Sequence, residues 1–335
     1  MAGYALVEGE GAGLARPAEF RDLLQQAGET LGRKLSPRTR QEYAKAFRHF
    51  EAWANGMGLP ALPTTPVVAL VYVQSMRPEL EKGQISFSTV TMRLAALSDA
   101  QATAGGLPVT SDPKVKELLR VLRREVGTKQ VQKAPLTLKM LERLQPLWEG
   151  NTLTRRQLQA RAVILLGFAL AARRSELVGL DLSDLRLEDE GMVVLIRRSK
   201  TDQEGKGAEL GVPRVSGPLC PVAAVEAWVR QLPLDVDGPL FRTVDPADEA
   251  TTQRLSERAV ARIVQRAAKV CGVDAERFGA HSLRAGYVTE AARNGYDAAR
   301  ISFQTRHRSL DRLKGYIRRA TLFEHNAGSL LGRKA

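Results

Sequence analysis

The chain has 335 residues, 44% hydrophobic and 26% charged, and its 50 Lys and Arg against 37 Asp and Glu give a net charge of +13 and a pI near 10.0. Such a composition can fill two ordinary cores and argues against dominant disorder, while the excess of positive charge favours a polyanionic partner, nucleic acid ahead of an anionic membrane. With only Cys220 and Cys271, no metal site or disulfide framework is expected. No apolar run reaches about 18 residues and the opening MAGYALVEGEGAGLARPAEF lacks a signal peptide's basic start, so no membrane association and a reducing, cytoplasmic setting are the expectation.

Residues 1–18 are rich in Gly and Ala and carry no periodic apolar face, which predicts a flexible leader. From Pro17 the pattern is helical: RDLLQQAGETLGRKL is followed by a second helix that opens on Ser36 as N-cap and Pro37 at its first position, with Tyr43, Phe47, Phe50 and Trp53 on one face. Further helices are predicted at 66–77, 86–104 and 113–125, punctuated by Pro and Gly, so residues 19–126 read as an all-helical bundle. Its basic residues Arg38, Arg40, Lys45, Lys116 and Arg120 are candidates to track DNA phosphates, or else the solvated outer faces of the helices. Residues 127–135 are polar and basic and end in Pro135, the composition of an interdomain linker.

Beyond the linker, helices are predicted at 137–148 and 154–174, the second carrying the core run AVILLGFALAA and ending at Arg173-Arg174-Ser175-Glu176-Leu177. The period then changes. LRLEDEGMVVLIRRSKTDQEGKGAELGVPR predicts three short antiparallel strands with a Gly-rich turn, and Lys200 falls just past the second. Helices resume at Pro221–Trp228 and at 257–271.

His281-Ser282-Leu283-Arg284 opens a further helix, which places His281 and Arg284 three residues apart on one face at a helix N-terminus. There the exposed N–H groups, the helix dipole and two basic side chains suit a phosphate. His307 follows one short helix later and Tyr316 lies nine residues beyond it.

In these residues the chain resembles the tyrosine recombinases, the family of phage integrases and Xer- and Cre-like enzymes. The likeness spans about residues 20–335 and rests on an arginine in an R-x-S-E-L pattern (Arg173), a hairpin lysine (Lys200), H-x-x-R (His281 and Arg284), a second histidine (His307) and a tyrosine (Tyr316), in the family's order. It implies a mainly α fold: a helical, SAM-like core-binding domain over 19–126, then a catalytic domain over 136–320 of mixed helices with a small antiparallel sheet. It also implies a tail over 321–335 that docks in trans or folds back in cis. The resemblance selects Arg173 over its neighbour Arg174, and Lys200 over Lys206. The family usually has Leu-Gly before the second histidine; this chain has Thr305-Arg306.

The implied activity is site-specific recombination or integration, by cleaving and rejoining double-stranded DNA through a 3′-phosphotyrosine, as a homotetramer on two recombination sites with a dimer on each. Relaxation of DNA in the manner of a type IB topoisomerase, and a non-catalytic architectural or regulatory DNA-binding role, are the alternatives. A tyrosine with a pKa of about 10 is roughly 0.1% ionised at pH 7, so attack by Tyr316 needs a base, for which His281 is the candidate. Arg173, Arg284 and His307 would hold the non-bridging oxygens, Lys200 would protonate the leaving 5′-oxygen, and Glu176 would orient a basic partner. The phosphotyrosine conserves the energy of the broken bond, so no metal, cofactor or ATP is expected, consistent with a sequence that carries no P-loop.

Overall fold

The computed structural model describes residues 26, 35–127, 132–150, 152–197, 207–233, 237–306, 313–315, 317, 321, 322 and 332. The chain divides into two compact units, Met1–Val131 and Gln132–Ala335. Among the described residues no helix is long and apolar enough to cross a membrane, and no three His, Cys, Asp or Glu side chains gather where they could hold a metal ion.

The first unit is helical: α1 (Pro37–Gly56), α2 (Pro66–Ser75), α3 (Arg77–Glu81), α4 (Phe87–Thr103) and α5 (Pro113–Val126). Its helix starts follow from local chemistry. Ser36, Thr65, Ser86 and Asp112 each accept an N–H from the first turn of the next helix, and Pro37, Pro66 and Pro113 occupy positions where a missing N–H leaves no bond unmade. Phe50, Ala54, Tyr72, Val73, Leu94, Leu97, Val115 and Leu122 close the core. The buried Tyr72 hydroxyl lies 2.9 Å from His49 Nδ1. The residues of the expected first helix, other than Gln26 and Leu35, and those of the leader lie outside the described residues.

The second unit is built around α7 (Arg155–Ala169), whose Ala162–Leu166 stretch is buried. Around it stand α6 (Leu138–Leu144), α8 (Arg174–Gly179), α9 (Pro221–Val229), α10 (Glu257–Val270), α11 (His281–Arg293) and α12 (Ala298–Thr305). The expected three-stranded sheet is present: β1 (Leu185–Glu188), β2 (Gly191–Ile196) and β3 (Ala208–Pro213) are antiparallel in that order, with Val194 opposite Leu210. Alternation turns Met192, Val194, Ile196, Leu210 and Val212 into the core. A second hairpin, β4 (Arg242–Val244) with β5 (Ala250–Arg254), was not expected from the sequence.

The division between the units falls within residues 127–135, and one helix end differs from expectation. Gln132–Pro135 of the expected linker lies in the second unit, where Ala134 N–H donates to Arg277 O at 2.8 Å and Leu136 N–H to Ser282 O at 3.0 Å. The core helix does not run through to residue 174: it ends at Ala169, and the chain turns through Ala171, which takes a left-handed φ of 46°. That turn separates α7 from α8.

A candidate phosphate-binding site at the end of the core helix

The last turn of an α-helix leaves carbonyls without N–H partners, and a buried end must find other donors. Here three side chains from distant sequence supply them. Gln304 Nε2 donates to Ala169 O at 2.8 Å, Arg306 donates to Leu170 O at 3.3 Å, and Arg284 Nη1 donates to Ala171 O at 2.9 Å. The negative end of the helix dipole thus holds two guanidinium groups in place.

Arg173 precedes α8 and bonds to the acid one turn on. Its backbone N–H reaches Glu176 Oε2 at 2.9 Å and its Nη1 reaches Glu176 Oε1 at 2.5 Å. Arg174 points elsewhere, with Nε 2.7 Å from Glu257 on α10. The Glu176 side chain is 1% exposed. Burial alone would raise its pKa, but the Arg306 charge, the Arg173 N–H and the Arg173 guanidinium outweigh burial and hold the carboxyl below its ordinary value.

His281 is the first residue of α11 and Arg284 lies one turn on. The position of this helix is fixed at the backbone: a Cβ at Gly286 would stand 2.0 Å from Leu136 O, so only glycine permits the approach. Arg284 is buried, whereas His281 keeps an exposed edge. The protein packed around the His281 ring lowers its pKa by desolvation, and the positive charges of Arg284 and Arg173 lower it further. Arg173, Glu176, His281 and Arg284 are therefore brought together from α8, α11 and the turns before them.

Lys200, Lys206, His307 and Tyr316 lie outside the described residues, as does most of the tail. Their chain neighbours are tied down. Arg197, at the end of β2, has Nε 2.5 Å from the buried Asp184 and Nη2 2.5 Å from Asp181, and Asp181 also takes Arg254 at 2.5 Å. Leu313 is buried with Val288, Ala291, Ala292 and Ile301, and Ile317 packs on the same cluster. Arg38, Arg40, Lys45, Lys116 and Arg120 are all exposed on α1 and α5, with Arg120 paired to Glu117.

Sequence reading missed Gln304, Arg306 and the Arg197 network. Arg306 carried a signal, since it occupies the place of the family's glycine. It follows α12 with φ 54° and ψ 46°, the left-handed conformation that glycine adopts freely and that costs another residue about 1–2 kcal/mol. The tight turn before His307 is therefore kept without a glycine.

Two guanidinium groups and an imidazole gathered at one place could hold a phosphate, and the comparisons with known proteins give the family. The profile of the phage integrase family matches residues 136–322. An integrase/recombinase XerD homolog of Selenomonas ruminantium is 31% identical over 317 residues, covering 93% of this chain and 91% of that protein. Among solved structures, the Tn1549 transposon integrase in complex with transposon right-end DNA aligns with a TM-score of 0.59 at 16% identity, over 87% of this chain and 92% of that one. The XerH site-specific recombinase bound to its difH substrate aligns with a TM-score of 0.56 at 17% identity, over 81% and 73%. The likenesses to solved structures are of fold. With the family match they account for both the helical architecture and the small antiparallel sheet. The chain belongs to the phage integrase family, the tyrosine recombinases.

Proposed function

We propose that this chain cleaves and rejoins double-stranded DNA at specific recombination sites, with Tyr316 as the nucleophile. The observation that carries the proposal is the meeting of Arg173, His281 and Arg284 at the end of α7, where two guanidinium groups are held by a buried carboxylate and a helix C-terminus. Cations fixed in this way need no reorganisation when negative charge builds on a phosphorus centre.

In the proposed reaction the Tyr316 oxygen attacks the scissile phosphorus and its proton passes to His281. The depressed pKa keeps that ring neutral near pH 7 and able to accept. Arg173, Arg284 and His307 hold the non-bridging oxygens. The bond to the 5′-oxygen breaks, Lys200 supplies the proton that leaves with it, and a 3′-phosphotyrosine and a 5′-hydroxyl result. Attack by a 5′-hydroxyl from a second duplex reverses each transfer and joins the strands, and no external energy enters because one phosphodiester replaces another.

Residues 19–126 would serve as the core-binding domain, 136–320 as the catalytic domain and 321–335 as a tail reaching a neighbouring protomer. The exposed Arg38, Arg40, Lys45, Lys116 and Arg120 would contact phosphates. A dimer on each site and a tetramer on two sites, acting in the cytoplasm on the nucleoid, complete the proposal. The test uses a nicked suicide duplex obtained by selecting random-sequence DNA for covalent capture. The wild-type protein forms an adduct that survives denaturation and joins strands between two sites, whereas Tyr316→Phe binds the duplex and forms none. An adduct in that variant, or relaxation of supercoils without any joining between sites, overturns the proposal.

A further inference from the structure

Glu176 poses a problem for the site it helps to build. A carboxylate 2.5 Å from Arg173 Nη1 neutralises the cation that the proposed reaction needs for the phosphate. The structure shows what offsets it. Arg306 Nη2 lies 2.7 Å from the other oxygen of the same carboxylate, Oε2, and its side chain is only 10% exposed. Arg306 Nη1 donates to Gln304 O at 2.9 Å and to Leu170 O at 3.3 Å, while its buried Nε makes no hydrogen bond among the described residues. Arg173 Nη2 in turn donates to Arg306 O at 3.3 Å, which closes a ring through Arg173, Glu176 and Arg306.

Two guanidinium groups thus share one carboxylate, and the cluster keeps one positive charge in excess. Without Arg306 the Arg173–Glu176 pair would be neutral. The backbone supports this reading independently. A left-handed residue is the place where glycine is easiest, yet an arginine stands there and its long side chain is drawn inward rather than to solvent.

We propose that Arg306 is a positioning residue for strand cleavage: it takes up the charge of Glu176, so that Arg173 presents an uncompensated guanidinium to the scissile phosphate while Glu176 still fixes its orientation. The proposal rests on the reaction set out above. Arg306 itself does not touch the reacting atoms; it acts through Glu176 and Arg173.

The test compares single-turnover cleavage of two suicide duplexes by the full-length protein. One carries an ordinary scissile phosphate and the other a methylphosphonate, which lacks the charge that Arg173 would meet. R306G and R306N suit the left-handed backbone and remove the charge, whereas R306K keeps it. R306G and R306N are expected to cleave the phosphate about 10-fold or more slowly than wild type, yet to match it within about 2-fold on the methylphosphonate, because the charge they fail to balance is absent there. R306K should fall within about 3-fold of wild type on both.

Both duplexes are cut by the same preparation, so any unfolded fraction cancels in the ratio, and R306N carries the comparison if R306G does not fold. An equal deficit on the two duplexes would mean that Arg306 only holds the turn and would overturn the inference. So would wild-type rates for both neutral variants on the phosphate. Failure of the wild-type protein to form any adduct would overturn the proposed function, and this inference with it.

Discussion

Two sets of basic residues, one in each unit, hold their positive charge in opposite ways. In the first, Arg38, Arg40, Lys45, Lys116 and Arg120 stand exposed on α1 and α5. In the second, Arg284 is 3% exposed, and the Arg173 and Arg306 side chains are 19% and 10% exposed around the buried Glu176. An exposed cation in water interacts weakly and can be replaced by its neighbour; a buried one has fixed partners and a fixed direction. The comparison teaches that, if the proposed function holds, the first unit would add affinity summed over many phosphates, while the second would make a few irreplaceable contacts to one.

The largest effect should come from the buried side of the comparison. Arg173→Ala and Arg284→Ala should each lower single-turnover cleavage by about 10²–10³, with duplex binding in a mobility-shift assay changed far less. Equal losses in binding and cleavage would place these residues among ordinary phosphate contacts and erase the distinction.

Stability should follow the buried carboxylate. Glu176→Gln leaves two guanidinium groups without their counter-charge and should lower unfolding free energy in urea by about 3 kcal/mol at neutral pH. The sign with pH is determined by the lowered pKa of Glu176. Its contribution is complete above the ordinary carboxylate pKa and is lost as pH falls through the depressed value, so wild type and variant should converge in acid.

How much of this was legible beforehand depended on whether a residue type announces its conformation. Ser36-Pro37 marks the start of α1 because a hydroxyl cap followed by proline has one common meaning, and the alternating apolar residues of β2 and β3 mark the sheet. His281-x-x-Arg284 placed two basic residues on one turn, and α11 does begin at His281. Ala171 gave no such announcement, and Arg306 gave one only by standing where the family usually has glycine, not through its own residue type. Both adopt left-handed backbone that glycine or asparagine would have signalled, so the run AVILLGFALAA read as an unbroken helix and the end of α7 was misplaced. The β4–β5 hairpin is short and lacks alternation, with β5 exposed along most of its length, so periodicity could not find it. The convergence of Gln304, Arg306 and Arg284 on three carbonyls is a tertiary fact, set by pairs more than a hundred residues apart.

A smaller effect sharpens the contrast within the site. His281 must be neutral to accept a proton, and its pKa is lowered by burial and by Arg284 and Arg173, so cleavage should decline only below about pH 6.5. Residual cleavage by Arg173→Gln should show that decline moved to higher pH, since one of the charges opposing protonation is gone. An unmoved profile would remove His281 from the role of base.

The smallest effect belongs to the exposed side. Lys116→Ala should weaken binding by only a few-fold on every sequence and reduce the slope of log K against log salt by about 1, with the adduct rate at saturation unchanged. A selective loss on one DNA sequence would instead give Lys116 a part in reading bases.

The central claim is that the buried cations of the second unit activate a phosphodiester for attack by Tyr316. Trypsin digestion of the wild-type adduct, followed by tandem mass spectrometry, tests it most directly, because cleavage after Lys314 and Arg318 isolates Gly315-Tyr316-Ile317-Arg318. The account predicts a 3′-nucleotide on the Tyr316 oxygen of that peptide. A nucleotide on any other side chain would contradict it.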